Sequence, residues 1–216
     1  DLQRMLPIHN LMHSCLLDDN GNETQQLPNG TWVGQDRSGA SGQVMTAIPN
    51  YYFKCTSDSG VIRFYILNKA PQKGVKYAGW NQFFDNNIEY VYVSSYEAAL
   101  DRTSGKLASV VNATTQFRGG NNLADYDGTY RSLLGRPVSA LNRTQFRAAA
   151  RLRNTNNVCW NEYVYTTHVM MAWLAYTEYN TLNIQKPFNP VLDSNGFKQG
   201  GLGMGVSEMI DWSGYN

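Results

Sequence analysis

Cys159, His168 and Glu178 are the residue types a hydrolase needs, and they fall within one stretch, NVCWNEYVYTTHVMMAWLAYTEYNTLNIQ, residues 157–185. A thiol nucleophile needs an adjacent base, and that base needs a third group to orient it. Here the thiol lies nine residues before the imidazole, and the carboxylate ten residues after it. Neither spacing matches a triad motif. His168 therefore reads as a core or boundary histidine, and no catalytic residue is expected.

Metal and cofactor motifs fare similarly. His9 and His13 are four apart, which on a helix would place two ligands on one face. Pro7 and the strand-like surroundings argue against a long helix, and spacing supplies no third ligand. Asp125 and Asp127 in NNLADYDGTY, and the run DDNGNE from Asp18 to Glu23, each resemble part of a calcium loop. The further oxygen ligands and the distal bidentate Glu are missing, so Asx-type turns are expected. GGLGMG, residues 200–205, lacks the Gly-Lys-Ser/Thr ending and the glycine spacing of a nucleotide fingerprint. No metal and no cofactor are expected.

The same stretch offers a different kind of site. Aromatic rings stack on apolar ligand faces, and Trp160 and Tyr163 precede the helical pattern. They are the candidate ligand-binding residues. Trp173, inside the pattern, is expected to be structural. Glu178 is also read as structural, because a carboxylate at the end of a buried helix needs a partner. Arg118, Arg131, Arg147 and Arg151 are the partners considered.

Several elements must position these groups. Residues 1–88 read as β-rich. CLLDDNGNETQQL centres a hairpin on Asn20-Gly21, and YYFKCTSDSGVIRFYIL repeats that form around Ser57–Gly60. Pro49 suits a strand start or an edge. LPNGTWVGQDRSGASGQ reads as a polar loop. YVYVSSYEAAL, residues 90–100, begins as a strand. A first helix is expected from Asn142 through Arg153, with Asn142 and Gln145 as a capping box and Phe146, Ala149, Ala150 and Leu152 as its stripe. A second is expected from Thr166 to Leu182. It is apolar on all sides, the pattern of a fully buried helix.

Composition narrows the function classes. The chain has 216 residues, a net charge of +1 and a charged share of 16%, low against a typical share of about 25%. No basic run exists to track phosphates, so nucleic acid is not an expected partner. The apolar run Val169–Tyr176 is too short to span a bilayer. Three cysteines, Cys15, Cys55 and Cys159, cannot build a disulfide framework. Four N-x-S/T sequons begin at Asn22, Asn29, Asn112 and Asn142.

The order strand, FRGGNN, DGTYRSLLGRPV, capped helix, Trp-bearing loop, second helix with Glu178-Tyr179, then GGLGMGV runs from Tyr90 to about Gly205. It resembles phage, prophage and surface proteins of gut anaerobes whose domains have a C-type-lectin-like fold of the formylglycine-generating-enzyme type. Some of these are variable proteins of diversity-generating retroelements. GQVMTAIPNYYFK, residues 42–54, is similar to the segment that precedes the domain in such proteins. The resemblance implies an α+β fold: a β-rich N-terminal arm, residues 1–88, then a C-type-lectin-like domain, residues 89–216, with two helices around a small twisted antiparallel sheet. Its final strands are expected beyond Asn216 or from other chains. The family enzyme's cysteine pair has no counterpart here, so an oxidase would need that pair outside this chain.

The implied function is non-enzymatic adhesion at a virion or bacterial surface, with a host receptor or glycan as partner. The alternative is a structural virion component (tail, baseplate or capsid decoration) whose partners are neighbouring subunits. Either use implies a homo-oligomer or a larger assembly. Assembly is further expected to depend on residues 1–88.

Overall fold

A computed structural model describes residues 6–28, 32–71, 79–129 and 131–183. Asn29 and GGLGMG lie outside the described residues. The architecture is α+β, with two helices packed near a β-rich body.

The first hairpin forms where Asn20-Gly21 places it. β1 (His13–Leu17) and β2 (Glu23–Gln26) are antiparallel. The turn is held by Asp18, whose Oδ1 accepts the Asn20 and Asn22 amides at 2.9 Å, and Gly21 supplies φ +85°. DDNGNE is thus an Asx-type turn. β3 (Gln43–Pro49) pairs with β1, and β7 (Tyr90–Ser94) pairs with β3. The sheet order is β2-β1-β3-β7. Pro49 closes β3 rather than preceding a strand. The amide after it continues the contact, Asn50 N donating to Glu89 O at 2.8 Å, so the ladder does not need the N–H that proline lacks.

β4 (Tyr52–Asp58) and β5 (Val61–Leu67) form the second hairpin, with β6 (Asn81–Gln82) on the other side of β4. Ser59 and Gly60 both have positive φ, as a two-residue hairpin turn requires. A small third ladder joins β8 (Ala99–Leu100) to β9 (Leu107–Ala108), so the Glu97–Leu100 segment ends as a separate short strand.

α1 (Arg143–Arg151) starts as its sequence dictates. Asn142 Oδ1 accepts the Gln145 amide at 3.0 Å, and Gln145 Oε1 accepts the Asn142 amide at 2.8 Å. α2 (Tyr165–Tyr179) ends three residues earlier than the pattern predicts, because Asn180 turns left-handed at φ +48°. Its burial also differs from expectation. Only Thr167, Met170, Trp173 and Leu174 are buried, a single stripe at helical spacing. Val169, Met171, Ala172 and Ala175 are only partly covered. An apolar circumference allowed burial all round, but one sheet face covers only one side of a helix.

The core explains the arrangement. Ile8, Ile48 and Tyr51 pack with Met170, Trp173 and Leu174. Trp173 sits 4.8 Å from the rings of both Phe53 and Phe64, and Tyr51 Oη donates to Met170 O at 2.6 Å. α2 is therefore clamped onto β3, β4 and β5. The pairing of β3 with β7 and this cluster both join residues on either side of position 88.

Candidate functional site

The loop before α2 is pinned from below at two points. Trp160 Nε1 donates to Asp19 O at 2.9 Å, its ring packs against Cys15, Leu17, Met45 and Ala47, and the Arg153 guanidinium lies over it at 5.5 Å. Asp19 is itself held by Lys106 at 2.6 Å and Arg153 at 2.7 Å. Glu162 receives Arg147 at 2.7 Å. Between these two pins and the helix, Tyr163 and Tyr165 stand 57% and 80% exposed. His168 contacts both rings, edge-on to Tyr163 at 6.0 Å and stacked with Tyr165 at 6.5 Å.

The two candidate binding residues thus take different places. Tyr163 faces solvent on the loop. Trp160 turns inward, with its only donor occupied, and serves as the anchor beneath it. Tyr165, exposed in the first turn of α2, joins Tyr163 in the surface. His168 is exposed, and its ring neighbours are tyrosines. Cys159 bonds to Asn157 Oδ1 and is also exposed.

Trp173 is buried in the core described above. Glu178 lies 3.5 Å from His9 Nε2. Among the arginines considered as its partners, Arg118 pairs with Asp127 and Arg147 with Glu162. His9 reaches Glu178 because its neighbour Ile8 is inserted beside Met170 and Trp173. Asp127 serves Arg118 rather than a calcium loop. Glu178→Gln keeps the shape and removes the charge. It is expected to cost about 1–3 kcal/mol of stability in urea unfolding, the range for hydrogen bonds and contacts of a charged group. A variant as stable as the parent would show that the carboxylate has no structural role.

A second cluster lies on the main sheet. His13 and Cys15 alternate onto one face of β1, and Glu23 of β2 folds over the same face. His13 Nε2 is 3.0 Å from Glu23 Oε1 and 3.2 Å from Oε2, while Nδ1 is 3.3 Å from Leu11 O. Tyr92 Oη donates to Glu23 Oε1 at 2.9 Å. It reaches there from β7 because the residue between, on β3, is the small Ala47. Burial, and then the Glu23 charge, push the Cys15 thiol up to about 12. Burial and the Glu23 hydrogen bond also push the Tyr92 phenol up. These types could suggest a cysteine nucleophile, but the geometry opposes it. Both His13 nitrogens face oxygen acceptors rather than the thiol, and Cys15 is fully buried, closed to a substrate.

A cleft of about 580 Å³, lined by both polar and apolar groups, opens between the segments bearing Asp19, Ser38, Asp101, Lys106, Gln116 and Arg153. Its carboxylates are occupied. Asp19 is paired as above, and Asp101 accepts from Ser104 at 2.6 Å and Gln116 at 3.0 Å. The cleft therefore reads as a braced loop junction.

Sequence spacing joined His13 to His9, not to Cys15 and Glu23. The signal that could have found the cluster is strand alternation at 13 and 15, combined with the hairpin centred on Asn20-Gly21. No protein-family model, no curated protein and no solved structure matches this chain. Among the described residues, no helix is long and apolar enough to cross a membrane.

Proposed function

We propose that the protein is a non-enzymatic adhesion module of a phage virion or bacterial surface that meets a receptor or glycan through Tyr163 and Tyr165. The observation that carries this reading is two exposed rings on a segment pinned at Trp160 and Glu162. Rigid tyrosines present a large amphipathic contact area at small entropic cost, because ordering has occurred before binding. The low charge fits such a surface. The finer fold assignment, a C-type-lectin-like domain of the formylglycine-generating-enzyme type, belongs to the same proposal and rests on the motif order from Tyr90 onward.

A second reading, a structural virion component, has its own support. Among the described residues β5 pairs only with β4, leaving an edge. Val61, Tyr65 and Leu67 lie exposed on its outer face. Apolar edges of this kind suit subunit contacts. Deleting residues 1–88 would not test it, since that removes the central strand β3 and reads folding instead.

The test is binding of the intact protein to host cells and a glycan array. The Tyr163→Ala/Tyr165→Ala double variant is expected to lose binding at least about tenfold, as anchor residues do, with thermal stability unchanged. Tyr65→Lys is expected to bind normally. Loss of particle assembly in Tyr65→Lys, with no binding by the parent, would favour the structural reading and overturn the first.

A further inference from the structure

We infer that His13, Cys15 and Glu23 form a zinc-binding site on the main sheet, with three protein ligands and one position open to a water molecule. One atom from each residue, the His13 ring nitrogen, Cys15 Sγ and a Glu23 carboxylate oxygen, all lie within 4.8 Å of one another. A tetrahedral zinc site has bonds of about 2.0–2.3 Å. Closing the cluster onto an ion therefore needs side-chain shifts of the order of an ångström, and Glu23, on the edge strand β2, can make them.

The donor set selects the ion. A thiolate, an imidazole and a carboxylate suit zinc, whereas calcium and magnesium require oxygen ligands throughout. Charge balances as well. Binding releases the Cys15 thiol proton to solvent, and the thiolate and the Glu23 carboxylate together neutralise a divalent ion.

The surroundings hold the ligands as a metal site would. His13 Nδ1 faces Leu11 O at 3.3 Å, and a proton there leaves the Nε2 lone pair for the ion. Tyr92 Oη holds Glu23 Oε1 at 2.9 Å and leaves Oε2 without that contact. The His13 ring is fixed edge-on against Tyr90 at 5.3 Å. Cys15 is fully buried on a strand paired on both sides, so its position is rigid. A bound ion would take the place of the contact between His13 Nε2 and Glu23 Oε1, 3.0 Å apart, rather than add to it.

The full chain, stripped with chelator and kept reduced, is titrated with cobalt(II), then with zinc(II) in competition. One equivalent of cobalt is expected to give a near-ultraviolet thiolate charge-transfer band and visible bands of tetrahedral intensity, and zinc should abolish both. Cys15→Ala is expected to remove the charge-transfer band. Glu23→Gln is expected to weaken zinc binding at least about tenfold, because removing the charge of a direct ligand should cost no less than the roughly tenfold loss known for removing an outer-shell support. Glu23 is on the surface, so this variant should fold even if Cys15→Ala does not. Cys55 and Cys159 are exposed thiols and supply the control. A band that survives Cys15→Ala but disappears in Cys159→Ser or Cys55→Ser would overturn the assignment. So would a titration with no thiolate band at all, which would leave the cluster as a hydrogen-bond network only.

Discussion

Gly119→Ala is expected to be among the most damaging single changes in this chain, although it adds only one methyl group. A Cβ at this position would stand 2.2 Å from Arg136 O, 2.5 Å from Arg136 C and 2.6 Å from Pro137 O. All three are backbone atoms, so no side-chain rotation can relieve the contact. The segment cannot easily move away either. Gly119 N donates to Leu133 O at 2.7 Å, and Gly120 N donates to Pro137 O at 2.8 Å. From the other side, the Arg102 guanidinium donates to the carbonyls of Arg118 at 2.8 Å and of Gly119 and Gly120 at 3.3 Å. Ordinary overpacking costs about 1–3 kcal/mol. A backbone clash locked by these bonds should cost more than about 3 kcal/mol, a melting-point loss of roughly 6–12 °C for a chain this size. Gly21→Ala is the comparison. Gly21 has φ +85° but open space around it, so only the conformational strain of about 1–2 kcal/mol is expected. Thermal and urea unfolding of the two variants side by side decides the matter. Equal losses would mean that the close approach at Gly119 is not what holds FRGGNN in place.

Trp173→Ala is expected to cost about 3–5 kcal/mol, the usual range for emptying a buried aromatic site. Trp173 is the α2 residue that meets both Phe53 and Phe64, with Tyr176 also against Phe64 at 5.3 Å. Tyr51, fully buried, depends on the same helix for its hydroxyl partner, Met170 O. Removing the indole leaves a void between the helix and the second hairpin, and a close-packed interior relaxes into such a void only in part. Loss of the near-ultraviolet circular dichroism signal at lower urea concentration would register the change. Tyr165→Ala, on the same helix but facing solvent, should shift stability by less than about 0.5 kcal/mol. Similar effects for both would show that α2 is not anchored through its buried stripe.

These expectations separate what the chain states locally from what it states only when folded. The capping box at Asn142 and Gln145 was legible because donor and acceptor are three residues apart and bond to each other's backbone. The hairpins at Asn20-Gly21 and Ser59-Gly60 were legible because positive φ is a property of the turn residues themselves. Trp173 could be placed inside a helix from its neighbours alone. The helix's apolar circumference was also visible, but not which side would be covered. That depended on Phe53 and Phe64, more than 100 positions earlier in the chain.

The site followed the same rule. Tyr163 could be singled out as a loop aromatic, yet Trp160 looked equivalent to it. Only the fold showed that one ring packs inward on Asp19 and Met45 while the other remains outside. Glu178 announced a need for a partner, but the approach of His9 to it came from Ile8 entering the helix-bound core. His13, Cys15 and Glu23 carry no recognisable spacing. Their convergence arises from strand alternation, the hairpin register and the small Ala47 that lets Tyr92 reach across. Short-range chemistry, in which turn and cap residues bond within a few positions, was determined by the sequence itself. Which distant side chains share a face was decided by the tertiary structure, because strand pairing and helix docking bring together groups whose separation along the chain has no bearing on their separation in space.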